Sequence, residues 1–457
     1  MDKVINPAKS LRGIVKAPGD GPVSHRAALL SCFCNGRVEI ENFSPGREAQ
    51  TALNCLTQLG IEVEHIENQV IIQGKGIQGI TKPHDPLNVG ASAISARMLC
   101  GILAACPFET EIVCDEIIAG LPMRRVIEPL EQMGAKIESN NFRFPLKIKG
   151  NKLQGVRYAM PVSSSQVKGT LLLAGLAAEG TTEIIERISS RDHFERLLAY
   201  FGVRVKKSKV EPKSSNEDPL TKRFKKAAGI ISPDIKGDML SIKGGQKVAQ
   251  KPLVIPGDLS SASYFIIAGL LVPESEIKVV NVGLNPTRLG FIEVLKKMKA
   301  PLVVKQTGEY GFEPVGDIEI KAAPIKGRRM VGELIPSIID ELPIMAIVAA
   351  AAQGTSVIRD AYELRLQKTD RIKSIAANLR KMGVKVGELE DGLAIDGGSE
   401  LEGAEIESFG DHRIAMSFAV AALIARNPSV IKDAECVELS YPGFWDDFDR
   451  LVNREQS

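Results

Sequence analysis

At 457 residues the chain is too long for one hydrophobic core, because cores stop growing at roughly 250–300 residues, so two or three domains are expected. With 58 Lys+Arg against 56 Asp+Glu the formal charge is +2, which excludes a global drive toward nucleic acid or an anionic membrane and leaves anion specificity to local clusters. The longest apolar runs, such as Ile344 to Ala352, are too short to span a bilayer, and the expectation is a soluble, cytoplasmic protein.

In chain order, the first punctuation is Ala17-Pro18-Gly19-Asp20-Gly21-Pro22, a Pro-Gly-Asp turn. Ser24-His25-Arg26 follows where a strand is read as running into a helix. An amphipathic helix ending Leu-x-x-Leu/Met/Phe, then Gly, then an alternating strand appears at Leu56 to Glu64 through Gly60. The same wording returns at Leu130 to Glu138 through Gly134, at Leu198 to Val205 through Gly202, at Leu295 to Val304 with Lys299 in the glycine slot, and at Leu379 to Val386 through Gly383. A sixth copy ends near Leu451. Six helix-to-strand units argue for α/β layers with helices beneath sheets, three units to a domain. A second Pro-Gly-Asp turn at Val254-Ile255-Pro256-Gly257-Asp258 marks the other crossing. The expected domains are 1–17 plus 255–457, and an inserted 18–254.

Four more polar clusters stand at strand-to-helix joints: Ser163-Ser164-Ser165-Gln166, Asn285-Pro286-Thr287-Arg288, Thr369-Asp370-Arg371 and Asp411-His412-Arg413. Hydroxyls and arginines at helix N-termini make anion sites, so a polyanionic small molecule is expected as ligand. Residues 205–228, with Lys206, Lys207, Lys209, Lys213, Lys222, Arg223, Lys225 and Lys226, read as a basic surface loop; without interleaved aromatics they do not argue for nucleic acid. Seven cysteines, an odd number in apolar runs, read as reduced and buried, and the five histidines lack zinc-site spacing. No metal and no cofactor are expected.

The chain resembles the enolpyruvyl transferase family, in its 5-enolpyruvylshikimate-3-phosphate synthase (3-phosphoshikimate 1-carboxyvinyltransferase) branch. The motifs that carry the resemblance are Asn285-Pro286-Thr287-Arg288 with Gly290-Phe291, Ile339-Asp340-Glu341-Leu342-Pro343, Glu363-Leu364-Arg365, Asp411-His412-Arg413-Ile414-Ala415-Met416 and Tyr441-Pro442-Gly443. The resemblance implies two domains of three βαβαββ-type repeats that close like a hinge. It also implies a reaction in which the 5-hydroxyl of shikimate 3-phosphate attacks C2 of phosphoenolpyruvate and phosphate leaves, in a pathway toward aromatic amino acids. Carried over by position, Arg26, Ser164, Ser165, Gln166 and Ser190 face the ring phosphate. Gln166, Arg371 and Arg413 face phosphoenolpyruvate, Arg97 closes the family's Asn-x-Gly-Thr-x-x-Arg loop, and Asp340 is the carboxylate beside the attacking hydroxyl. A monomer with small anionic substrates is expected, without nucleic-acid or membrane partners.

The departures from the family cluster. Its Gly-Asp-Lys-Ser is Gly19-Asp20-Gly21-Pro22 here, its Asn-x-Gly-Thr loop is read at Ala91-Ser92-Ala93-Ile94, and the arginine before Pro-Met is Leu121. Its Lys-Glu-Thr-Asp-Arg is Gln367-Lys368-Thr369-Asp370-Arg371, so the acid position has become a base. Lys16, Arg124, Arg125 and Lys368 are the nearby cations that could compensate. Three activities stay open: the family reaction with rearranged donors, a related step with a less charged partner, and ligand binding without turnover.

Overall fold

The computed structural model describes residues 1–66, 69–211 and 236–453. The chain separates into two compact units: Met1–Ser24 with Ile40–Gln50 and Leu253–Ser457, and His25–Glu39 with Thr51–Pro252.

In the first unit, three helices are apolar on every side, and a helix without a polar face has to be covered all round. Leu259–Leu271, Leu342–Ala351 and His412–Leu423 are buried along nearly their whole length and lie against one another in its core. Sheets cover them. Arg12–Lys16 runs parallel to Glu276–Gly283, which continues antiparallel to Pro314–Lys321 and then Leu302–Glu309. The same order recurs as Arg329–Met330, Gly354–Ile358, Gly392–Gly397 and Lys385–Leu389. A third sheet takes Lys3–Ile5 antiparallel to Ser429–Lys432, with Glu405–Glu407 parallel beyond.

The second unit repeats the scheme. Leu87–Asn88 pairs in parallel with Glu109–Val113, and Arg143–Lys149 and Lys136–Asn140 follow antiparallel. Arg157–Ala159, Thr181–Glu186, Gly237–Lys243 and Val205–Val210 give the same order again. Its core helices Ala93–Leu103 and Ser165–Ala177 pack closely, and a Cβ on Gly101 would come within 2.4 Å of the Thr170 carbonyl oxygen, so only glycine permits that approach. Strand–helix–strand–helix–strand–strand is therefore the repeating unit, the βαβαββ type that the resemblance implied.

The five joints of that wording all take positive φ: Gly60 80°, Gly134 110°, Gly202 82°, Lys299 67° and Gly383 83°. The sixth copy contributes the helix Phe444–Asn453. One expectation needs correction. Val205–Val210, read as the start of the basic loop, is a strand in register with Gly237–Lys243, and Lys207 and Lys209 pair with Asp238 across it. Cross-strand charge pairing offsets the lysines' low strand preference there. Residues 212–228 of that expected loop lie outside the described residues.

Candidate active site

The fold places the polar clusters because an apolar helix can only carry hydrogen-bonding groups at its ends. In the second unit, Ser-Ser-Ser-Gln precedes the apolar run that becomes Ser165–Ala177, and Ser164 caps it by accepting from the Val167 N–H. Arg26, 2 % exposed, donates through Nη2 to the carbonyl oxygen and to Oγ of Ser165, each at 3.3 Å. Arg97 donates to Gln166 Oε1. Two guanidinium groups thus meet the first turn of a buried helix, an arrangement suited to a dianion.

Ser190 is buried, and its hydroxyl makes no hydrogen bond among the described residues. Its backbone is held from below: the carbonyl accepts from Lys168 Nζ at 3.3 Å and its N–H donates to Glu186 at 3.4 Å. Lys168 is itself buried, 3.0 Å from Glu186 and 2.7 Å from Glu195. Burial opposes its charge, but the two carboxylates outweigh burial and hold the lysine above its ordinary range. Nothing in the sequence singled out Lys168, because a lysine in an apolar helix reads as a snorkelling surface residue.

In the first unit, Asp411 caps His412–Leu423 by accepting from the Arg413 N–H at 2.8 Å. It also receives Arg371 Nε at 2.7 Å and Nη2 at 3.2 Å, together with the Thr369 hydroxyl at 3.2 Å. Burial opposes its ionisation, yet Arg371 holds the carboxyl below the carboxylate range. Arg413 reaches Asp340 twice, at the carbonyl oxygen (3.2 Å) and at Oδ1 (3.3 Å). Lys368 is ion-paired with Glu48. His412 is driven down to about 3, first by burial and then by Lys368, so the imidazole is neutral. Asp340, Arg371 and Arg413, from three separate stretches, are therefore joined through Asp411, while Lys368 meets Glu48, a partner the sequence reading missed.

The 285–288 cluster is different. Arg288 is 2 % exposed and held by Asp20, Asp258, Ser260 and Glu341, so it is an internal hub rather than the anion site expected there.

The family model for EPSP synthase (3-phosphoshikimate 1-carboxyvinyltransferase) matches residues 5–235 and 217–448, nearly the whole chain. The chain belongs to the EPSP synthase family. Among curated relatives, the 3-phosphoshikimate 1-carboxyvinyltransferase of Bacillus pumilus is 39% identical over 445 residues, covering 97% of this chain and 97% of its own. That of Desulforamulus reducens is 41% identical over 449 residues, with 98% of each covered. The EPSP synthase structure from Acinetobacter baumannii superposes with a TM-score of 0.81 at 34% identity, covering 99% of this chain and 98% of that one. The enolpyruvyl transferase NikO from Streptomyces tendae gives a TM-score of 0.75 at 14% identity over 98% and 96%, and shares the fold.

Against the EPSP synthase family pattern the departures have definite surroundings. Just ahead of the Ala91-Ser92-Ala93-Ile94 stretch, Asn88 Oδ1 accepts from the Gly90 N–H at 2.8 Å and Gly90 takes φ 52°, a tight turn that leads into the helix. Ile94 is buried in the first turn of the helix Ala93–Leu103, and Arg97 stands one turn further along the same face. Ala93 is the first residue of that helix, capped by Ser92, whose hydroxyl also meets His25 Nε2 at 2.9 Å. Leu121 is buried at 7 % exposure. Arg124, one turn on, lies over the Phe142 ring at 3.9 Å and pairs with Glu128 at 3.1 Å. Gln367 is exposed and donates to the Glu363 carbonyl oxygen at 3.3 Å. Gly21 and Pro22 open the helix Gly21–Ser31, where proline's fixed φ and missing N–H are tolerated. Among the described residues no single helix is long and apolar enough to cross a membrane.

Proposed function

We propose that this protein transfers the enolpyruvyl group of phosphoenolpyruvate to the 5-hydroxyl of shikimate 3-phosphate and releases phosphate, as a cytoplasmic monomer. Family membership over the full chain supports the reaction, and the observation that carries the acid–base assignment is the Asp340–Arg413 contact. Asp340 takes the hydroxyl proton as the oxygen bonds to C2 and the C2=C3 electrons pick up a proton at C3, turning the methylene into a methyl of the tetrahedral adduct, and Arg413 fixes the orientation of the Asp340 carboxylate. Arg26, Ser164, Ser165, Gln166 and Ser190 hold the ring phosphate. Arg371 and Arg413 steady the donor's charge, with Arg371 itself oriented by Asp411. Elimination then breaks the C2–phosphate oxygen bond, returns the C3 proton to the protein and frees phosphate.

The test is phosphate release on mixing both substrates at high enzyme, compared with Asp340→Ala. Release that disappears in the variant supports the reading; release that persists removes Asp340 from it. A second reading is favoured by one feature: Arg371, Arg413 and Lys368 each already face a carboxylate, while Ile94 and Leu121 are apolar. Losing one transition-state donor costs about 10²–10³ in rate, so a site with several cations lost or neutralised fits a less charged partner, or binding without turnover. Calorimetry decides: shikimate 3-phosphate binding with no added heat from phosphoenolpyruvate supports this second reading.

A further inference from the structure

Both Pro-Gly-Asp turns of the first unit converge on Arg288. They are paired to each other, Asp258 N–H donating to the Pro18 carbonyl oxygen at 2.7 Å and Asp20 N–H to that of Pro256 at 2.9 Å, with a bridge between Gly19 and Gly257. A Cβ on Gly19 would lie 1.9 Å from the Asn42 carbonyl oxygen, and one on Gly257 would lie 2.1 Å from that of Asn281, so neither turn has room to drift. Each turn lies within a few residues of a point where the chain passes to the second unit, at Ser24–His25 and Pro252–Leu253.

Arg288 reads both turns with one nitrogen and the catalytic turn with the other. Nη1 donates to Asp20 at 2.5 Å and to Asp258 at 3.2 Å, while Nη2 donates to Ser260 at 2.5 Å and to Glu341 at 3.0 Å. The Ser260 hydroxyl donates in turn to Glu341 at 2.5 Å. Asp20 accepts from the Val23 N–H, Asp258 caps Leu259–Leu271, and Glu341 stands directly before Leu342–Ala351. Three helix N-termini and three carboxylates therefore share one planar guanidinium, buried with 2 % exposure. Because the fork is rigid, moving the carboxylates on Nη1 rotates the donors offered by Nη2. Glu341 is covalently next to Asp340, whose carbonyl oxygen and carboxylate are both fixed by Arg413.

We propose that Arg288 is a positioning residue that ties the Asp340–Glu341 turn to the two Pro-Gly-Asp turns, so that Asp340 is held in place only while those turns are. The consequence for catalysis rests on the carboxyvinyl-transfer reading, whereas the coupling itself does not. Two sites joined through a shared element must influence each other equally, and couplings of this kind are typically about 5–150-fold.

The experiment is amide hydrogen exchange on the full chain carrying Asp20→Asn, Glu341→Gln and both together. Each of these substitutions keeps side-chain shape. Asp20→Asn is expected to speed exchange across residues 338–345 by at least about 5-fold, and Glu341→Gln to do the same at 18–24 and 256–262. The double variant should show less than the product of the two. In an Arg288→Lys background, which keeps charge but loses the fork, the cross-effects should vanish. Effects confined to each variant's own segment, or strictly multiplicative in the double, overturn the proposal. If Arg288→Lys does not fold, the Asp20 and Glu341 cycle still decides it. Turnover is read separately: a fall in kcat with unchanged KM in Asp20→Asn links the hub to Asp340. Absence of turnover in the unaltered protein strikes the functional reading while the exchange result stands.

Discussion

Replacing Lys168 by methionine removes one charge from a site that contains two others. Glu186 is 2% exposed and Glu195 15%, so neither carboxylate can recover its hydration by turning outward. The folded variant must protonate at least one of them. Starting from an ordinary glutamate near 4.3, taking up that proton at pH 7.5 costs about 4 kcal/mol, in line with the roughly 3–5 kcal/mol lost when a buried pair is broken. If both are protonated the loss is roughly double. The sign with pH follows: the folded variant binds protons that the unfolded chain does not, so its stability rises as pH falls, by up to about 1.4 kcal/mol per carboxylate for each pH unit. Urea unfolding of the protein and of Lys168→Met at pH 7.5 and 5.5 should therefore show a gap that narrows by about 3 kcal/mol for one carboxylate. Lys168→Met with Glu186→Gln and Glu195→Gln should recover most of the loss at both pH values. A gap below about 1 kcal/mol, or one that does not narrow in acid, would refute the reasoning. Because the lysine also holds the Ser190 carbonyl, affinity for shikimate 3-phosphate should weaken in the single variant.

Other outcomes are expected from the same geometry. His412 is depressed to about 3 in the folded chain, so the unfolded state takes up its proton first as pH falls below about 6.5, and stability worth roughly 4–5 kcal/mol is lost on the way to pH 3. The Tm of His412→Asn should fall less steeply over that window. Arg371→Lys loses the fork that meets both Asp411 oxygens and should lower kcat/KM for phosphoenolpyruvate about 10²–10³-fold under steady-state assay, with Tm recorded to separate unfolding. Glyphosate, an anion, should compete weakly with phosphoenolpyruvate if, as the resemblance implies, Gly21 and Leu121 take the places of two family cations. Leu121→Arg should tighten that inhibition, and tight inhibition of the unaltered protein would contradict the assignment of Leu121.

The layered fold was legible because it is written in local chemistry. Gly60, Gly134, Gly202 and Gly383 each stand where a helix must reverse into a strand with positive φ, and Lys299 takes the same conformation despite its side chain. The polar clusters were legible as helix starts where a capping residue lies inside the cluster, as in Ser164-Ser165 and Asp411-His412-Arg413. What was not legible depends on partners far away in sequence. Lys368 lost its acidic identity at its own position, but the carboxylate it meets is Glu48, which no local pattern connects to it. Arg288 sits in a motif that reads as an anion site, and only the tertiary arrival of Asp20, Asp258 and Glu341 makes it an internal hub. The basic strand Val205–Val210 was missed for the same reason, since its lysines acquire Asp238 only by pairing with Gly237–Lys243.

The strand Lys3–Ile5 finds its partner at Ser429–Lys432, and Arg12–Lys16 finds its own at Glu276–Gly283. During synthesis at about 5–20 residues per second, the first of these waits on the order of 20–80 seconds with its backbone donors and acceptors uncovered, while the whole second unit emerges and can complete its sheets. The molecule is thus made from the inside of its sequence outward. Lys3–Ile5 and Arg12–Lys16 can meet their strand partners only after the intervening second unit has been made, and until then their backbone edges are open to a chaperone or a stray strand.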